Sequence, residues 1–153
     1  VFFGCYIIRC MLKAETINLI KDYFLKQPSV LAVYLYGSQA TGLAKKDSDI
    51  DLAILFDEKK DPDTFALRGQ FDIELESLLS TDVDIQSLGD CHVSFVHRVL
   101  SEGKLLYKKE GVDLTDFQVR TVQKYFDLKP TLDQYYLLLS ERARSGLIGQ
   151  KGI

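Results

Sequence analysis

Two seven-residue runs constrain the fold of this chain more than anything else in it. Residues 30–36, VLAVYLY, are entirely aliphatic or aromatic and stop at Gly37, while residues 50–56, IDLAILF, are apolar apart from Asp51. Runs of this length, rich in branched and aromatic side chains, predict buried strands. The second run also carries a chemical problem. Side chains alternate faces along a strand, so Ile50, Leu52, Ile54 and Phe56 share one face while Asp49 and Asp51 share the other. Two carboxylates so close repel each other, and leaving them unpaired beside a core is costly. The pattern therefore predicts a cation between them.

The rest of the chain limits what that cation can serve. With 153 residues, 46% hydrophobic and 27% charged, the chain is long enough for one globular domain with a sizeable core. Its 19 basic and 22 acidic residues give a net charge of -3, which argues against a nucleic-acid backbone as the main partner. Cys5, Cys10 and Cys91 form no CxxC pair, so neither a disulfide framework nor a zinc site is signalled, and a reducing cytoplasm is the expected compartment. His92 and His97 lack metal-ligand spacing and read as ordinary surface or partly buried residues. The apolar opening, VFFGCYIIRC, is too short for a membrane span and lacks the basic residues that precede a signal-peptide core. Because Met11 is the single methionine and a helical pattern follows it, residues 1–10 are expected to be a non-native upstream extension.

Helical spacing of Ile17, Ile20 and Phe24 predicts a first helix that stops before Pro28. A charged loop at 57–63 precedes a crossover helix, TFALRGQFDIELESLL, with Phe65, Phe71, Leu75, Leu78 and Leu79 as its apolar stripe. DVDIQSL, residues 82–88, alternates as a half-buried third strand should. A short helix closed by Gly103 and an extended piece follow. From about Leu114 to Arg144 the chain is helical in character, with Pro130 expected to kink it or split it in two. The domain expectation is a core over residues 11–110 and a helical C-terminal arm of the same domain over 111–153. The fold class is α/β (α+β): a short mixed sheet flanked by helices.

Three chemistries compete for residues 37–51. Gly37 and Gly42 have P-loop spacing, but Leu43 and Ala44 stand where Lys and Ser or Thr are needed. Asp47, Asp49 and Asp51 occupy EF-hand positions one, three and five, but Leu52 replaces the turn glycine and the segment reads as a strand. A two-metal phosphoryl- or nucleotidyl-transfer site fits better. It needs strand-borne carboxylates, another carboxylate from a neighbouring strand, and donors for phosphate oxygens. Gly37 lets phosphate approach the backbone, Ser38 offers a hydroxyl, and Asp49 and Asp51 suit magnesium. Asp84, flanked by Val83 and Ile85, is the candidate third carboxylate, with Asp82 as its rival on the same strand face. The plainer alternative has Asp47, Asp49 and Asp84 capping turns and lining a solvated sheet edge. Lys45, Lys46 and Arg68 could grip phosphate, but read more simply as solvent-facing charges.

In order, Gly37-Ser38, Gly42, Ser48-Asp49-Ile50-Asp51-Leu52 and Val83-Asp84-Ile85 resemble the signature of the polymerase-beta nucleotidyltransferase superfamily, and more narrowly its minimal nucleotidyltransferase (MNT) branch. The resemblance extends through EGKLLY to DLKPTLDQYY. It implies a polymerase-beta-like fold in which Asp49 and Asp51 bridge two Mg2+ ions, Asp84 completes the catalytic ion and helps deprotonate the acceptor, and Gly37 and Ser38 hold the triphosphate of ATP. It also resembles the antitoxin half of HEPN/MNT toxin–antitoxin pairs, which implies transfer of AMP to a tyrosine of a HEPN ribonuclease. On that reading Phe117, Tyr125, Phe126, Tyr135 and Tyr136 form part of the partner-facing or oligomer surface. The alternatives are a binding-only antitoxin that masks its toxin and an enzyme modifying a small molecule such as an aminoglycoside. A template-directed polymerase lacks room for a primer-template domain and lacks the basic balance.

Overall fold

The two apolar runs pair with each other, which sets the sheet. The structure is a computed structural model and describes residues 12–45, 48–60 and 62–145. Strand β1 (Val30–Tyr36) runs antiparallel to β2 (Ile50–Phe56), with Val33 opposite Ile54, Leu35 opposite Leu52 and Tyr36 opposite Asp51. Strand β3 (Val83–Ser87) lies parallel to β2 on one side, and β4 (Lys104–Lys108) lies antiparallel to β1 on the other. The order is β3-β2-β1-β4, a four-stranded mixed sheet. Parallel pairing of β2 and β3 requires a crossover, and α3 (Thr64–Leu79) supplies it.

Helix α1 (Ala14–Leu25) buries Ile20 and Phe24 one turn apart, and α3 buries Phe71 and Leu75 at the same spacing. These join Val33, Leu35, Ile50, Leu52, Ile54, Phe56 and Ile85 in one core cluster on one face of the sheet. Phe24 and Phe71 meet edge to face at 5.6 Å between centroids, and Phe71 stacks on Phe56 at 6.3 Å. Such ring pairs add about 0.5–1.5 kcal/mol each beyond area burial. The stripe expected on α3 is corrected at two positions: Phe65 is 84% exposed and Leu78 is 45% exposed. The buried face follows the spacing Leu67, Phe71, Leu75 and Leu79, with Leu67 and Leu79 partly covered, and Phe65 lies two residues off that series.

The second face of the sheet is covered by α4 (Val93–Glu102), which packs against β1. The helix ends at Gly103, as expected, and the glycine there does not serve as a left-handed cap. Gly103 has φ -77 and ψ 171, an extended conformation open to any residue. A side chain there would run into the carbonyl oxygens of Val99 and Leu35, so glycine is required by close approach of two backbones.

The described residues divide into two compact units at the Leu114/Thr115 boundary. The second is α5 (Thr115–Arg144), one continuous helix with Pro130 inside it. The expected split does not occur. Proline removes one backbone bond and costs about 3 kcal/mol. The Lys129–Asp133 ion pair, 2.6 Å across the proline, is exposed and offsets only a few tenths of that. What carries the helix through is the long ladder of bonds on both sides, within 30 residues of helix.

Candidate active site

Strand register assembles the site. Tyr36 faces Asp51 across β1 and β2, and Asp51 faces Asp84 across β2 and β3, so the three side chains form one row across the sheet. Asp84 lies inside β3, whereas Asp82 lies just before it and offers its carbonyl to the Ile50 N–H at 2.9 Å. Of the two acids that parity left equal, Asp84 is the one beside Asp51.

Gly37 follows β1 with φ +69 and opens α2 (Gly37–Thr41). A Cβ at Gly37 would fall on Oδ2 of Asp51, so the position needs glycine both for its backbone angle and for space. Ser38 is half-buried in the first turn of α2, and its carbonyl accepts from the Leu43 N–H at 3.0 Å. Gly42 closes α2 at φ 78. The returning loop is tied back at Ser48, whose Oγ accepts from the Lys45 N–H at 2.8 Å and whose carbonyl accepts from Gln39 Nε2 at 3.1 Å. That anchor delivers exposed Asp49 to the start of β2, close enough to act on Asp51 electrostatically. Lys46 and Asp47 lie outside the described residues.

Electrostatically the row is loaded with negative charge. The Asp51 carboxyl is pushed above its usual range, first by burial and then by repulsion from Asp84 and Asp49. The Tyr36 phenol is pushed above its ordinary value by burial and then by Asp84 and Asp51. Its hydroxyl donates to Asp84 Oδ2 at 3.3 Å, and its ring meets Phe95 of α4 edge to face at 5.2 Å.

Residues that sequence reasoning missed hold Asp84. Gln86 Nε2 donates to both Asp84 carboxylate oxygens at 3.2 Å, while Gln86 Oε1 accepts from Arg68 Nη2 at 3.3 Å. Arg68 is itself pinned by its Nε, which donates to the Ile85 carbonyl at 2.8 Å. Arg68 is therefore not the solvent-facing charge expected from sequence but a strut between α3 and β3. Gln86 was legible in principle, being two residues from Asp84 on one strand face, whereas Tyr36 and Arg68 reach the site only through folding. Asp72 of α3 adds a fourth acidic group nearby: burial and then Asp84 raise its carboxyl, and its Oδ1 is buried without a hydrogen bond.

Two further polar side chains are occupied elsewhere or exposed. His92 caps α4, its Nδ1 accepting from the Ser94 N–H at 3.3 Å, and Lys45 is exposed on the loop. Ile50–Phe56 being a strand removes the EF-hand reading.

As they stand, Asp49, Asp51 and Asp84 do not close around a point. Among the described residues no three His, Cys, Asp or Glu side chains form a metal cluster. The donor chemistry nonetheless fits magnesium: hard carboxylate oxygens only, on adjacent in-register strands, with a repulsion at Asp51 that a divalent cation would relieve. No helix among the described residues is long and apolar enough to cross a membrane.

Comparison with known proteins agrees with this geometry. The polymerase beta nucleotidyltransferase family matches residues 18–111. A protein adenylyltransferase MntA of Aphanizomenon flos-aquae is 32% identical over 124 residues, which cover 76% of this chain and 82% of that protein. A chain from a toxin–antitoxin crystal structure with AMP-PNP matches at TM-score 0.69 and 26% identity, over 84% of this chain and 99% of that one. A chain from the complex of tri-AMPylated Shewanella oneidensis HEPN toxin with MNT antitoxin matches at TM-score 0.65 and 26% identity, over 82% and 97%. With its strand-borne aspartates, its glycine packed on one of them and a match spanning α1 to β4, the chain belongs to the polymerase beta nucleotidyltransferase family, as a minimal nucleotidyltransferase of the MntA type.

Proposed function

We propose that this nucleotidyltransferase moves AMP from ATP, with magnesium, onto a tyrosine hydroxyl of a HEPN ribonuclease and thereby acts as its antitoxin. One observation carries the chemistry: Asp51 and Asp84 stand in register on parallel strands with the bare α-carbon of Gly37 against the Asp51 carboxylate. The partner is supported by the relatives, one named a protein adenylyltransferase and another an MNT antitoxin in complex with an AMP-bearing HEPN toxin.

Asp49, Asp51 and Asp84 would hold two magnesium ions, which when bound supply charge neutralisation for the carboxylates and the phosphates. Gly37 leaves room for phosphate oxygens beside the backbone, and the Ser38 hydroxyl donates to them. Asp84, oriented by Gln86, accepts the proton of the incoming hydroxyl. The acceptor oxygen bonds to the α-phosphorus, the bond from that phosphorus to the bridging oxygen breaks, and pyrophosphate leaves. In α5, Phe126, Tyr135, Tyr136 and Leu137 are all more than half exposed, a surface rich in the side chains that anchor protein partners.

The test is transfer of label from α-labelled ATP, with magnesium, to the HEPN protein expected from the same operon, in native protein and in Asp49→Asn and Asp51→Asn. Labelling that both substitutions abolish is the expected result. Neutralisation of the toxin without labelling, unchanged in both variants, would replace this reading with antitoxin action by binding alone.

A further inference from the structure

The Tyr36 hydroxyl lies against the carboxylate read above as the base for an acceptor hydroxyl. The residue begins on β1, two strands from Asp84, with Asp51 between them in the register. Two strand spacings are roughly 9.6 Å, so a phenol that reaches Asp84 must pass over Asp51. It does so: the Tyr36 hydroxyl donates to Oδ2 of Asp84, the group read above as taking the acceptor's proton. The ring is held in that pose by Phe95 on one side, and Gly37 follows it directly in the chain. A phenol, the candidate base and the glycine that admits phosphate thus stand within one short stretch of one unit.

We propose that Tyr36 is a modification site, at which the chain transfers a nucleoside monophosphate to itself when no partner hydroxyl is present. The proposal rests on the nucleotidyltransferase reading of the same site. The Tyr36 Oη bonds to the α-phosphorus of ATP, its proton passes to the Asp84 carboxylate, the α–β phosphoanhydride bond breaks, and pyrophosphate departs with that bridging oxygen. The product is a phosphodiester-linked adenylyl group seated over Asp51. Because it fills the nucleotide's own place, each chain modifies itself once and then stops.

The experiment incubates the full chain alone with ATP and magnesium and localises any adduct by fragmentation mass spectrometry, with a parallel sample containing the HEPN partner. Expected is one adenylyl group per chain, on Tyr36, formed at a fractional rate independent of protein concentration and absent from Asp49→Asn. Tyr36→Phe keeps the ring against Phe95 and removes only the hydroxyl, and it is expected to lose the adduct. A second readout needs no turnover: the isolated adduct, titrated calorimetrically with a non-cleavable ATP analogue, is expected to bind it more weakly than the unmodified chain. Label on the partner with none on Tyr36 overturns this proposal and leaves the nucleotidyltransferase reading standing. Label on neither sinks both. An adduct on another residue, a rate that rises with concentration, or an adduct that binds the analogue as well as unmodified protein also overturns it.

Discussion

Asp51 lies in β2 opposite Tyr36 on one side and Asp84 on the other. Its carboxyl is held above the ordinary range by burial and by Asp84 and Asp49, so between the ordinary and the raised values the native state binds more protons than the unfolded chain. Stability therefore rises as pH falls through that window, and the charge is a burden at neutral pH. Asp51→Asn is expected to raise the Tm of the metal-free protein at neutral pH, a gain that shrinks as the pH is lowered into the carboxylate range; scanning calorimetry across pH checks it, and a lowered Tm would contradict the repulsion. Asp84, proposed above as the base, poses the complementary question of how a carboxylate is aimed. Gln86→Leu removes both of its amide contacts and leaves Arg68 without its outer partner. The expected result is a fall in kcat of about tenfold to a hundredfold with a smaller change in the KM for ATP. Restoration by Gln86→Asn would show that the donor matters more than its reach.

At the scale of elements, the pairing of short strands depends on positions where side chains are forbidden. Gly103 has ordinary backbone angles, yet a methyl group there meets the carbonyls of Val99 and Leu35. Those carbonyls belong to α4 and β1, neither of which can yield without shifting its element. Gly103→Ala is expected to cost about 1–3 kcal/mol, read as a lower denaturation midpoint with unchanged m-value. Gly69, inside α3 with nothing near its α-carbon, should tolerate the same change and serves as the control. The helices divide into those legible from spacing and those whose faces are not. The extent of α3, β1 and β2 follows from their apolar runs, because hydrophobic period and flanking breakers are local properties. Which residues of α3 are buried does not, because Phe65 and Leu78 are as apolar as Phe71, and only the placement of the helix on the sheet separates them. The path of α5 through Pro130 is similar: a local rule predicts a kink or a split, and the helix runs on without the split.

For the molecule as a whole, the charge gathered at one end of the sheet makes stability depend on what binds there. Magnesium with ATP is expected to raise the Tm in a concentration-dependent way, by about 2.7 kcal/mol of stabilisation at a ligand concentration one hundred times Kd. Addition of EDTA should reverse it, and Asp49→Asn should blunt it; a shift indifferent to both would place the nucleotide elsewhere.

Composition and spacing alone were enough for the mixed α/β fold and the two central strands, and they nominated Asp49 and Asp51 together, because alternation along a strand is dictated by backbone geometry. They were also enough to nominate Gly37, since a glycine between an apolar strand and a turn signals either a special angle or a close approach. Apolar flanks already favoured Asp84 over Asp82; that Asp84 stands beside Asp51 belongs to the register of β2 on β3, and the contacts of Tyr36 and Arg68 belong to strands and a helix meeting from distant parts of the chain. Those are cross-strand and interhelix relations, and no periodicity within a single element encodes which neighbour it will meet or at what offset.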